Sequence, residues 1–349
     1  MTVSAGQVSP AAGQGRRKFT LNSSRMSEAT FAYLLIVPVV IILTLIMIYP
    51  TVYSIWMSFH YIDIGSGEWE WVGIENYSFA LTNHDLINSI VRTIQYTIYV
   101  TIFAMILAIG GALLLNEPFK GRKWLMVLVI LPWSVSTYAA AAVFRYMYNP
   151  QFGFFNSVLM NLGIVDTTTA IQFVDEKYVL ASIAIAHAWQ FSPLGMYFIL
   201  AVMQVIPADV YKIAKTDRLG VFGRFANVTW PYIRLPTLIY MVLVTAEAAK
   251  VFDIIYFISG GGPGKSSHDL VYQIYVESFV NWQFGYGAAI SWILVVLIMA
   301  ITLLYFFAIM RREKEEVQLR LSEAEVGWKQ RNLGLVGATP LDSNGPKQE

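Results

Sequence analysis

Six apolar stretches, each about the length a helix needs to cross the hydrocarbon core of a bilayer, set what this chain can become. They run roughly from Phe31 to Phe59, Thr93 to Leu115, Trp124 to Tyr148, Tyr178 to Val205, Leu235 to Ser259 and Gly285 to Met310. Only helices and closed barrels satisfy their own backbone in lipid, and long uncharged runs without alternation read as helices. The fifth stretch alone is interrupted, by Glu247, Lys250 and Asp253. Of the 349 residues 56% are hydrophobic and 13% charged, whereas a soluble domain carries about a quarter of its residues as charges. The fold class predicted is an all-α integral membrane protein of six transmembrane helices. Residues 1–28 read as a disordered tail, 29–310 as one membrane domain, and 311–349 as a second tail, helical at first (Arg311 to Glu325) and then disordered.

Orientation follows from the basic residues, which collect in cytoplasmic loops. Four lie in the N-terminal tail (Arg16, Arg17, Lys18, Arg25), three at Lys120, Arg122 and Lys123, five in segment 206–236 and seven after Met310. The alternate loops hold only Lys177 and Lys265, and the first of them is acidic, with Asp63, Glu68, Glu70, Glu75 and Asp85. Both termini are therefore predicted to be cytoplasmic. The run beginning at Ala29 is too long for a signal-peptide core, so the first span is predicted to be retained.

Several chemistries are excluded or unsupported. There are no cysteines, so disulfides, thiolate metal sites and cysteine nucleophiles are out. Formal net charge is +1, which gives no bulk field for nucleic acid. No Gly-rich loop ends in Gly-Lys-Ser/Thr, so no ATP hydrolysis is expected in this chain. No catalytic residue, metal site or bound cofactor is expected either.

The segment between spans four and five carries more pattern than a connecting loop needs. Pro207 suits a helix start and Asp209 its first turn, while Val210, Ile213 and Ala214 share one helical face. Asp217-Arg218-Leu219-Gly220 punctuates, and a second helical piece from Val221 carries Phe222 and Phe225. A helix-turn-helix of this kind can dock in a partner's groove, or lie on the membrane surface as an interfacial helix.

This segment resembles the EAA loop of ABC importer permeases. Ala214, Asp217, Phe225 and Pro231 agree with it, whereas Lys212, Ile213, Arg218 and Leu219 stand where the usual Glu, first Ala, Gly and following Ala are found. Tyr49-Pro50 with Tyr53, Ser58 and Phe59 resembles the end of the first span in sugar permeases. Val72-Gly73 with Asn76-Tyr77, Asn149-Pro150-Gln151-Phe152-Gly153 with Asn156, Phe252-Asp253 through Gly260-Gly261-Gly262-Pro263, and Gly285-Tyr286-Gly287 follow in order. The chain is thereby identified as similar to the maltose, trehalose and glycerol-phosphate type of carbohydrate permease.

The resemblance implies a multi-pass subunit of a prokaryotic plasma membrane. Its partners would be a homologous but different second permease, two copies of an ATPase subunit that hold the ATP and Mg, an extracytoplasmic solute-binding protein and membrane lipid. The ATPase would dock on residues 208–230, with Tyr211, Lys212, Ala214, Asp217, Arg218, Gly220, Phe222 and Phe225 as the coupling residues. Because glycine enters positive φ freely, Gly220 is expected to take over the tight turn from Arg218.

Within the spans, Glu247, Lys250 and Asp253 at i, i+3 and i+6 are expected on one helix face. They are either a self-compensating triad or the relay of an ion-coupled secondary transporter. A membrane-embedded enzyme would need clustered His, Asp or Glu. His187 is expected to be a structural hydrogen-bonding group. Trp189 and Gln190, just before the helix-kinking Pro193, are candidates for a sugar path, or for simple packing.

Overall fold

The computed structural model describes residues 27–307; the tails expected at either end lie outside the described residues, apart from Ser27 and Glu28. The chain divides into two units, residues 1–54 and 55–349.

In the first unit, Ser27 caps α1 (Glu28–Leu43) by accepting from the Thr30 amide. A π-helical turn at Thr44–Ile48 leads into α2 (Tyr49–Ser58), inside which the unit boundary falls. From Phe31 to Tyr49 every side chain except those of Pro38, Thr44 and Ala32 is a large apolar group, and these groups are exposed. An all-round apolar helix with nothing buried is stable where the solvent is lipid.

In the second unit the end of α2 is followed by an antiparallel hairpin, β1 (His60–Ile62) and β2 (Trp69–Trp71), in the register His60 opposite Trp71. Short α3 (Glu75–Thr82) precedes α4 (His84–Asn116), whose 33 residues start nine positions before the expected second span. Asn83 caps α4 through the Asp85 amide, a local signal that extends the helix past its apolar run.

The third span is broken. α5 (Arg122–Ser134) and α6 (Thr137–Met147) meet at 101°. Pro132 lies in the last turn of the first helix, which stops two residues later at Ser134, and Ser136 caps the second by accepting from the Ala139 amide. After α7 (Phe154–Asn161), α8 (Val179–Met203) runs through Pro193. The carbonyl that Pro193 leaves free at Trp189 accepts from Ser192 Oγ at 3.4 Å.

Next come α9 (Ala208–Thr216), α10 (Val221–Arg224), a π-helical turn at Phe225–Thr229 and α11 (Trp230–Ala249). Residues 221–249 form one helix of 29 residues, so the fifth span starts earlier and ends ten residues sooner than its apolar run. α12 (Asp253–Ile258), α13 (Leu270–Tyr275) with a π-helical turn at Val276–Val280, and α14 (Phe284–Phe307) complete the unit. Among the described residues five helices are long and apolar enough to cross a membrane, and six spans result when α5 and α6 count as one.

The core lies where α4, α8 and α11 meet. Ala104, Ala108 and Ala112 form a row of small residues along α4, and Ala184 and Ala188 do the same on α8; all are fully buried. In lipid, helices gain little from hydrophobic transfer and associate through close contact, which small residues permit. Gly195 makes the same point for α8 and α11: the Tyr240 ring occupies the space a Cβ would need.

Candidate functional site

A cavity of about 410 Å³ opens where two helices break against α8. Trp133, Val135, Ser136 and Thr137 come from the α5–α6 break, His187, Gln190 and Phe191 from α8, and Glu247, Lys250, Val251, Phe252 and Asp253 from the end of α11 and the start of α12. Helix breaks leave backbone groups without intrahelical partners. Gln190 serves one of them, its Nε2 donating to the Val135 carbonyl at 2.9 Å and to Thr137 Oγ1 at 3.3 Å. Its Oε1 makes no hydrogen bond among the described residues.

Glu247, Lys250 and Asp253 do meet at this cavity, but not on one helix face. α11 ends at Ala249, Lys250 is its cap residue, and Asp253 begins α12. Lys250 Nζ pairs with Glu247 Oε1 at 2.8 Å, while Asp253 lies beside the Tyr138 hydroxyl of α6. The i, i+3, i+6 spacing fails because the backbone leaves the helix between the second and third members.

Gln190 lines the cavity and its neighbour Trp189 does not. The Trp189 ring packs edge-on against Phe144, with centroids 5.3 Å apart. The aromatic walls are instead Trp133, Phe191 and Phe252. Trp133 follows Pro132 directly, and that proline within the last turn of α5 is the sequence signal that could have found it. His187 is buried, its Nδ1 bonded to the Tyr96 hydroxyl at 2.9 Å.

The second group of candidates lies on α9 and α10. Val210 and Ala214 face inward with Ile206, Tyr211, Leu219 and Val228, and Tyr211 OH lies 3.1 Å from Thr229 Oγ1. Ile213, expected on that same face, is 63% exposed. With Val221 at 72% and Phe222 at 89%, it forms an apolar surface that α9 and α10 project outward. Phe225 turns the other way and packs against the main core. Lys212 pairs with Asp209 at 2.8 Å, and Asp217 caps α9.

The turn between the two helices is made at Arg218, not at Gly220. Arg218 has φ of 55°, whereas Gly220 is extended at φ −64°, ψ 178°. The Leu219 amide donates to the Ala214 carbonyl and the Arg218 amide to the Lys215 carbonyl, each at 3.1 Å. This pair of bonds is the Schellman arrangement, which places the left-handed residue immediately after the cap, here Asp217. Leu219 is the next residue, and its side chain packs back on the cluster of Ile206, Ala214 and Val228.

Residues 100–312 match the family described as Binding-protein-dependent transport system inner membrane component. The chain is 32% identical over 279 residues to the trehalose/maltose transport system permease protein MalF of Thermococcus litoralis, covering 80% of this chain and 93% of the relative. It is 29% identical over 281 residues to the sulfoquinovosyl glycerol transport system permease protein of Agrobacterium fabrum, covering 80% and 90%. A solved chain from a bacterial ABC transporter involved in the import of the acidic polysaccharide alginate has the same fold. It superposes with a TM-score of 0.69 at 19% identity, over 80% of this chain and 95% of that one.

Proposed function

Since this chain belongs to the inner membrane components of binding-protein-dependent transport systems, and is a multi-pass protein of a prokaryotic plasma membrane, we propose that it is the permease subunit through which an ATP-driven importer passes a neutral sugar. A binding protein delivers the solute from outside, a second permease completes the path, and two copies of an ATPase supply the work.

One observation carries this reading. The 29-residue helix 221–249, about 44 Å long at 1.5 Å per residue, has the exposed Phe222 near one end and Glu247 at the other. Movement of a partner gripping Ile213, Val221 and Phe222 is thereby delivered to the cavity as a rigid-body displacement. The cavity suits a polyhydroxylated solute, with aromatic faces for the ring and Gln190, Ser136, Thr137 and three charged groups for the hydroxyls. Two carboxylates against one ammonium disfavour an anion there. The four basic side chains Lys212, Lys215, Arg218 and Arg224 call for acidic residues on the facing ATPase surface.

The test is Phe222→Asp in the complex isolated through this chain. An exposed side chain contributes little to folding, so the variant should insert and assemble the transmembrane part normally. Solute-stimulated ATP hydrolysis and sugar uptake should both fall at least tenfold. Uptake at the wild-type level would mean that this surface is not the coupling element.

A second reading has one observation behind it: broken helices around charged groups are also how ion-coupled carriers build their sites. It requires uptake to continue without ATP and to stop when ion gradients are collapsed, the opposite of the outcome expected here.

A further inference from the structure

Asp269 is fully buried, 0% exposed, in the stretch between α11 and α14. It caps α13 in the ordinary way: Oδ1 accepts from the Tyr272 amide at 2.8 Å. The first amide of that helix, on Leu270, is taken instead by Thr93 Oγ1 of α4 at 2.8 Å. Oδ2 is left with no partner. Four residues on, Gln273 is also buried; its Nε2 donates to Glu277 Oε1 at 2.7 Å, and its Oε1 has no partner either. Asn281 Nδ2 then donates to Glu277 Oε2 at 2.8 Å. The residues 269, 273, 277 and 281 thus form a row at helical spacing whose lower end holds two buried, unpartnered oxygens in succession.

Two acceptors cannot satisfy each other, and a buried polar atom without a partner costs free energy. A single proton resolves both. We propose that Asp269 is held as the neutral acid, its Oδ2–H donating to Gln273 Oε1, so that a proton closes the row and pH governs how firmly segment 259–283 is fixed to α4.

The surroundings support it. Lys265 is committed to Asp85 at 2.6 Å. His268 is held neutral near physiological pH, its pKa lowered to about 4 chiefly by burial and further by the nearby Lys265 and Arg92 charges. Tyr96 on α4 is bonded to His187, Tyr272 presents a phenol and not a cation, and Glu277 is occupied by Gln273 and Asn281. No cation among the described residues pairs with Asp269. Burial raises its pKa to about 7, against the smaller opposing effect of the backbone amides. A carboxyl whose pKa is raised in the folded state binds its proton more tightly there than in the unfolded chain. Its contribution is complete below about pH 4 and is lost as pH rises to about 7.

The experiment uses the complex isolated through this chain, in lipid nanodiscs. Infrared spectra at pH 6 and thermal midpoints from pH 4 to 9 are compared for wild type, Asp269→Asn and Gln273→Leu. Asn donates to Gln273 without titrating. The expected results are a protonated-carboxyl band that Asp269→Asn removes, and a midpoint that falls with pH in wild type relative to a flatter Asp269→Asn. Gln273→Leu takes away the acceptor of the acid proton, so the wild-type titration should move to lower pH. The proposal is overturned if the band survives in Asp269→Asn, if the two proteins share one pH profile, or if Gln273→Leu leaves the titration in place.

Discussion

Arg218 holds a backbone conformation that its side chain makes costly. An L-residue in the left-handed region is disfavoured by about 1–2 kcal/mol, because Cβ crowds the following carbonyl. Arg218→Gly removes that penalty and adds back roughly 0.5–1 kcal/mol for the greater freedom of glycine in the unfolded chain. The net local gain is about 1 kcal/mol, or roughly fivefold in an opening equilibrium at 1.36 kcal/mol per decade. Hydrogen–deuterium exchange of the complex reads this directly, because the amides of residues 218 and 219 are the two that close the turn on Lys215 and Ala214. Their protection, corrected for intrinsic rates, should rise about fivefold in Arg218→Gly and should not rise in Arg218→Ala, which keeps Cβ. If the alanine variant gains as much as the glycine variant, the benefit comes from losing the guanidinium, and the backbone argument is wrong. Should Arg218→Gly tighten the turn and yet lower transport, the strained arginine is retained for its charge at the docking surface.

Two further substitutions test the packing and the path. Gly195→Ala places a methyl group in the space of the Tyr240 ring; overpacking of this kind costs about 1–3 kcal/mol, so the yield of folded protein and its thermal midpoint should drop, and an unchanged midpoint would mean that α8 and α11 are not so closely apposed. Trp133→Ala should cut sugar uptake several-fold with complex assembly intact, since it strips an aromatic wall from the cavity, whereas Trp189→Ala should chiefly lose an edge-on ring contact with Phe144 worth about 0.5–1.5 kcal/mol. The reverse ranking in an uptake assay would move the path to the other side of α8.

What could be read from the sequence depended on the range of the forces involved. The spans were legible because lipid imposes the same demand on every residue of a twenty-residue run, and no tertiary contact is needed to enforce it. Their ends were not, because a terminus is chosen by one residue and its neighbours. α4 begins at an Asn83 cap outside the apolar run, and α11 stops at Ala249 with neither Gly nor Pro to announce it. The break in the third span lay between: Pro132 and Ser136 spell an end and a cap, yet the apolar run passes over both. Arg218 shows how two local rules compete. Glycine's freedom argued for a turn at Gly220, but a Schellman end is positioned by counting back from the apolar residue that folds onto the helix, and Leu219 was that residue. The cavity was the least legible feature, because it is assembled from three separate stretches of chain. Periodicity places Trp133 and Trp189 equally well on their own helices; only the 101° bend between α5 and α6 brings the first beside Gln190. The charged residues of the fifth run were recognisable as costly in lipid, and the fold accommodates that cost by ending the helix among them, so that Lys250 and Asp253 leave its face at the point where the wall of the cavity is needed.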